Sequence, residues 1–223
     1  MMRKDKFFFY IVRQLAVVIA VTIIVVFMSS CSNGKVDVSE EIHLRINKIQ
    51  QSIDYSASSE ISASSNLYDN VKSNEDFEVI TDLGFAALPE LIQLLDQSEQ
   101  DGVKEYIYAV ALEQISKVDM RKRTDWNTGK EFLTIYTAYL KEIPNKVKSI
   151  VDETINDTEK VDQLKLLGTP AIPYLFDVID SGHKELAPAF NYLTDNESKG
   201  DVREWGIKNV DQLNLLINLV EQQ

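Results

Sequence analysis

Cysteine is almost absent from this chain. Cys31 is the single one in 223 residues, which excludes an intramolecular disulfide framework and a cysteine-rich zinc site. Histidine is nearly as scarce, with only His43 and His183, the first in a polar N-terminal stretch and the second between two expected helices. Eight glycines and five prolines are too few for a turn-rich β-sandwich or a low-complexity chain, and they favour long regular elements. Cations are in deficit: 23 Lys and Arg against 35 Asp and Glu give a net charge of −12. A protein that grips a phosphate backbone needs clustered cations, so no nucleic-acid partner is expected. The chain also lacks His-Glu-x-x-His, Gly-x-Ser-x-Gly and a Gly-rich phosphate loop before Lys-Ser/Thr. No catalytic residue, metal or cofactor is therefore expected, and the leading expectation is a protein that is not an enzyme.

The N-terminus carries an address. Arg3, Lys4, Lys6 and Arg13 precede an apolar run from Leu15 to Met28, which ends in the small pair Ser29 and Ser30. This is the layout of a secretory signal over residues 1–30. Cys31 follows at once, and Met28-Ser29-Ser30-Cys31 resembles the lipobox of bacterial lipoproteins. The resemblance implies cleavage before Cys31 and lipidation of its thiol, and two or more acyl chains hold a protein on a bilayer far better than one. The alternative is an uncleaved anchor, although the 14-residue run falls short of the roughly 17 to 25 residues a spanning helix needs. In either case the leading cations keep the N-terminus cytoplasmic. Everything after residue 31 is then exported to the cell envelope, on the outer face of the cytoplasmic membrane or at an outer membrane. Residues 1–30 hold four cations and one anion, so the remaining 193 residues carry 19 against 34, a net charge of −15.

Residues 31–66 are polar and rich in serine (Ser52, Ser56, Ser58, Ser59, Ser62, Ser64, Ser65). They read as a spacer lifting a domain off the bilayer. Asp37 with Glu40, and Ile42, Ile46, Ile49 and Ile53 at helical spacing, predict a short helix within it. From residue 67 the pattern is helical. Leu88, Leu91, Ile92 and Leu95 mark one buried stripe. Residues 103–115 are apolar on nearly every face, as expected of a helix enclosed by neighbours. Thr128 with Glu131 predicts a capped helix that Pro144 ends, with another beginning near Asn145. Thr158 is expected to cap a further turn, and Asn209 with Gln212 to open the last helix, filled by Leu213, Leu216 and Val220.

An internal duplication organises this region. The fourteen residues from Leu83 to Asp96 align without gaps on those from Leu167 to Asp180, and six positions are identical. Each block then reaches Gly-x-Lys-Glu, an apolar segment with Ala109 matching Ala189, and a polar loop with a tryptophan, Trp126 or Trp205. The block Leu-Gly-x-x-Ala-Leu/Ile-Pro before an apolar helix resembles the first helix of HEAT repeats of the phycobilisome-lyase type. That resemblance covers residues 67–223, as halves 67–150 and 151–223. It implies helix pairs that stack because one pair cannot bury its own stripe, with a degenerate pair from residues 130–157 between the clear ones. The expected fold is all-α: a short irregular α-solenoid of HEAT-like helix pairs after a lipoprotein signal and a Ser-rich tether.

Function follows from the same reading. Solenoids of this kind present an extended protein-recognition face, so the leading expectation is a membrane-anchored protein-binding module or scaffold. The alternatives are a regulatory or immunity-type protein that titrates one basic partner, or a carboxylate-based hydrolase. The candidate partner-binding residues are Trp126, Trp205 and the cation cluster Arg121, Lys122 and Arg123; a buried plug is the competing role for each tryptophan, and a solvated loop for the cations. Asp96 and Asp180, at equivalent repeat positions, are candidates for a shared Ca²⁺ or partner edge, against solvated helix ends.

Overall fold

The structure, a computed structural model, describes residues 37–58, 67–196 and 201–222. The predicted signal, Cys31 and the Ser-rich stretch after residue 58 lie outside them. Eleven α-helices and no strand occur among the described residues, so the all-α expectation holds. No helix among them is long and apolar enough to cross a membrane.

The short helix expected from the isoleucine spacing is present, but it is longer than expected and packs into the core. α1 (Val38–Ser58) runs for 21 residues, and Ile42, Ile46 and Ile49 are completely buried. A spacer would leave them in water. Burying each side chain is worth roughly 1.5 to 3 kcal/mol, enough to draw this segment into the same compact unit as the rest, Val38 to Gln223. Most of the serines lie beyond the isoleucine stripe, and their composition is what suggested a spacer for the whole segment. Arg45 ties the helix down by donating to Glu41 at 2.6 Å and Asp76 at 2.7 Å.

After α2 (Leu67–Lys72) and α3 (Glu75–Asp82), the two duplicated blocks fold alike. Gly84 and Gly168 both have positive φ, +60° and +75°. Each opens a short 3₁₀ turn, 84–86 or 169–171, followed by α4 (Ala87–Gln97) or α8 (Ile172–Asp180). Pro89 and Pro173 sit in the first turn, where a missing N–H breaks no helical bond. The blocks then diverge. α5 (Val103–Ser116) is one long helix, whereas the second block has a 3₁₀ turn at 184–186 and the seven-residue α9 (Ala187–Leu193). Ala109 and Ala189 are both fully buried.

Between the blocks, α6 (Gly129–Asp152) is a single 24-residue helix that passes through Pro144. The expected break at that proline does not occur. Proline removes one backbone bond, but Ile143 and Val147 on either side of it are buried, and their burial keeps the axis continuous. α7 (Asp157–Lys165) is capped by Asn156, not Thr158: the Asn156 side chain accepts from the Glu159 N–H at 3.0 Å. α10 (Val202–Lys208) contains Trp205, which sequence placed in a loop. α11 (Val210–Glu221) follows directly. Asn209 caps no N–H there, because its side chain donates to the Trp205 carbonyl at 2.8 Å.

Packing is between neighbours in a regular order. α1 lies on α3, α4 and α5; α4 lies on α5 and α6; α6 lies on α5, α7 and α8; and α7 and α8 both meet α9. α11 breaks the order, because it touches α6, α8 and both 3₁₀ turns, 84–86 and 169–171.

Candidate functional site

The cation cluster lies in the loop between α5 and α6, and its three members turn apart. The Arg121 guanidinium sits 4.5 Å from the ring centres of both Tyr68 and Trp126 and donates to the Tyr106 hydroxyl at 2.5 Å. Lys122 pairs with Asp119 at 3.0 Å. Arg123 lies 4.6 Å from the centre of the Tyr139 ring and donates to the Leu166 carbonyl at 2.8 Å. Two of the three are therefore held against the protein's own rings, and no continuous cationic face results. Each such contact contributes about 0.5 to 1 kcal/mol at exposed positions.

Trp126 is 2% exposed. Its ring packs between Tyr106 at 5.3 Å and Phe132 at 4.9 Å, with Tyr136 stacked beyond Phe132. It is a core plug and presents no face to a partner. At the start of α5, burial would raise the carboxyl of Glu105 above its ordinary range, but bonds from the Ser98 hydroxyl at 2.6 Å and the Gly102 N–H at 2.8 Å outweigh that and hold it below. Trp205 is half-buried on α10, edge-on to Phe190 at 5.2 Å. The two tryptophans do not occupy equivalent structural positions, since one is in a loop and the other within a helix. Among the described residues no group of three or more His, Cys, Asp or Glu is arranged to hold a metal. Asp180 lies 3.5 Å from Arg203, whereas Asp96 stands elsewhere, so the two do not form a shared edge.

Asp96 lies in a groove that sequence did not reveal. The groove has a volume of about 960 Å³ and is bounded by α4, α6 and α11. α11 contributes Asp211, Asn214 and Asn218 along its length, above Leu215 and Leu219, and Gln222 follows at its C-cap. α6 contributes Thr134, Thr137 and Lys141, and α4 adds Pro89, Ile92, Gln93 and Asp96. The polar members are exposed except for half-buried Thr137, and Leu133 and Leu219 lie buried beneath them. Thr134 and Thr137 donate to the carbonyls of Lys130 and Leu133, which leaves their acceptor pairs free. Gln93, Asn214, Asn218 and Gln222 make no side-chain hydrogen bond, and Asp96, Asp211 and Lys141 make no ion pair, among the described residues. An amide offers a donor and an acceptor together, so the groove wall is a row of two-way hydrogen-bonding groups over an apolar floor. The available signal was the spacing of Asp211, Asn214, Asn218 and Gln222, where an ordinary solvent face would carry Glu and Lys.

No protein-family model, curated protein or solved structure matches the chain.

Proposed function

We propose that this chain is a lipid-anchored, extracytoplasmic protein-binding module without enzymatic activity, and that the α4/α6/α11 groove is its recognition surface. The groove carries the reading: it is open, bounded by three helices, and lined by amides and charges without side-chain hydrogen bonds or ion pairs among the described residues. The helix order supports a short solenoid of HEAT-like pairs, with α1, α4, α6 and α8 as successive neighbours on one side and α3, α5, α7 and α9 as their partners. α11 then folds back across the first of these rows and converts a plain face into a groove. The anchor rests on the sequence from Arg3 to Cys31. Anionic excess and the exposed Asp96 and Asp211 favour a basic partner, whose association weakens as salt screens the attraction.

The test uses a photo-crosslinking residue at Asn218, inside the groove, and a second at exposed Glu153, outside it, in the full chain in cells. The expected result is one discrete adduct from position 218, lost at high salt, and none from position 153. Identical adducts from both positions, or none from 218, would overturn the reading. In the same cells Cys31→Ala is expected to shift the protein from the membrane to the soluble fraction, and unchanged fractionation would remove the lipid anchor.

A further inference from the structure

We infer that the groove takes its partner as an extended polypeptide segment, held along α11 through the segment's own main chain. This rests on the proposed binding role and adds the form of the ligand. Asn214 and Asn218 lie four residues apart on one face of α11, and Gln222, the residue that caps its C-terminus, continues the same spacing. Four residues of helix rise about 6 Å, and two residues of extended chain advance about 6.6 Å. Over the eight residues from Asn214 to Gln222 the helix covers about 12 Å and four residues of strand about 13 Å. The two repeats therefore stay in register across three side chains. Each amide meets every second residue of the segment, donating to its C=O and accepting from its N–H.

A helical ligand does not suit this wall. Its main chain is already paired internally, and such ligands dock through apolar anchors into apolar grooves, whereas the upper wall here is amide and hydroxyl. In an extended segment the residues between those bound by α11 face the other way, toward Thr134, Thr137 and Gln93 on α6 and α4. Asp96 and Asp211 outnumber Lys141 among the charged lining residues, so basic side chains on the segment are favoured over acidic ones.

The experiment selects binders to the detergent-solubilised full chain from a displayed library of random 12-residue peptides. A selected peptide is then resynthesised with N-methyl groups on alternate residues, in both parities. N-methylation removes main-chain donors without changing side chains. The expected result is that one parity weakens binding at least tenfold and the other leaves it within threefold, and that Asn214→Leu with Asn218→Leu abolishes capture while the helical circular dichroism is unchanged. Equal sensitivity to both parities, insensitivity to both, or a library that yields no binder would overturn the inference. In each of those cases a discrete crosslink at position 218 would leave the binding module standing, with a folded partner in place of a segment.

Discussion

Gly84 and Gly168 look interchangeable in the duplicated sequence, and both adopt left-handed φ, yet their surroundings differ. A Cβ on Gly84 would meet nothing within 4 Å, whereas one on Gly168 would lie 2.3 Å from both the Ser116 carbonyl oxygen and a Val118 methyl group. Gly84→Ala is therefore expected to cost only the left-handed penalty, about 1 kcal/mol. Gly168→Ala must also move the end of α5 and is expected to cost about 3 kcal/mol or more. Urea unfolding of the two variants checks this, and equal losses would show that the close approach at Gly168 relaxes freely. The tryptophans teach the same point. Both occur after matching blocks, but Trp126 is enclosed by Tyr106 and Phe132 while Trp205 lies within a helix. Residue type and repeat position do not specify burial; the neighbours across the chain do.

At the scale of single elements, the sequence was most legible where apolar spacing was dense. α4 and α5 fall where Leu88, Leu91, Leu95 and the enclosed run after Val103 place them. The Thr128 cap of α6 also stands, its hydroxyl accepting from the Glu131 N–H. What could not be read were choices decided by tertiary packing. Pro144 is a stop by local rules, but buried Ile143 and Val147 override it. α1 follows the helical spacing of Ile42, Ile46, Ile49 and Ile53, but its full length and its packing on α3, α4 and α5 were masked by the serine-rich composition around it. The groove was illegible for a related reason: its walls come from three separate stretches of chain, 89–96, 133–141 and 211–222, which only the fold brings together. Pro144→Ala tests the override. It restores a donor to the Leu140 carbonyl while loosening the unfolded chain, and a net gain of about 1 kcal/mol is expected in urea unfolding. A loss would mean that the proline ring itself contributes to the packing around α6.

For the whole molecule, α11 is the element that makes two similar blocks into one body. Leu213, Leu216, Leu219 and Val220 are buried, and the helix reaches both 3₁₀ turns as well as α6 and α8. A chain ending at Lys208 is expected to lose hydrogen-exchange protection near residues 84–86 and 169–171 together, although these turns lie far apart in sequence. Protection retained at 84–86 would show that the first block holds without the last helix. The same deletion removes one wall of the groove, so peptide capture would be lost with it.

The position of α11 also sets an order of events. Polypeptides leave the ribosome with the N-terminus leading, so a helix at residues 210–221 emerges after every element it covers. Until it does, the apolar surface it covers on α6, α8 and the two turns stays open and the native state is out of reach. α11 thus acts as a latch, and a product truncated before it is marked for proteolysis by its own unfinished core.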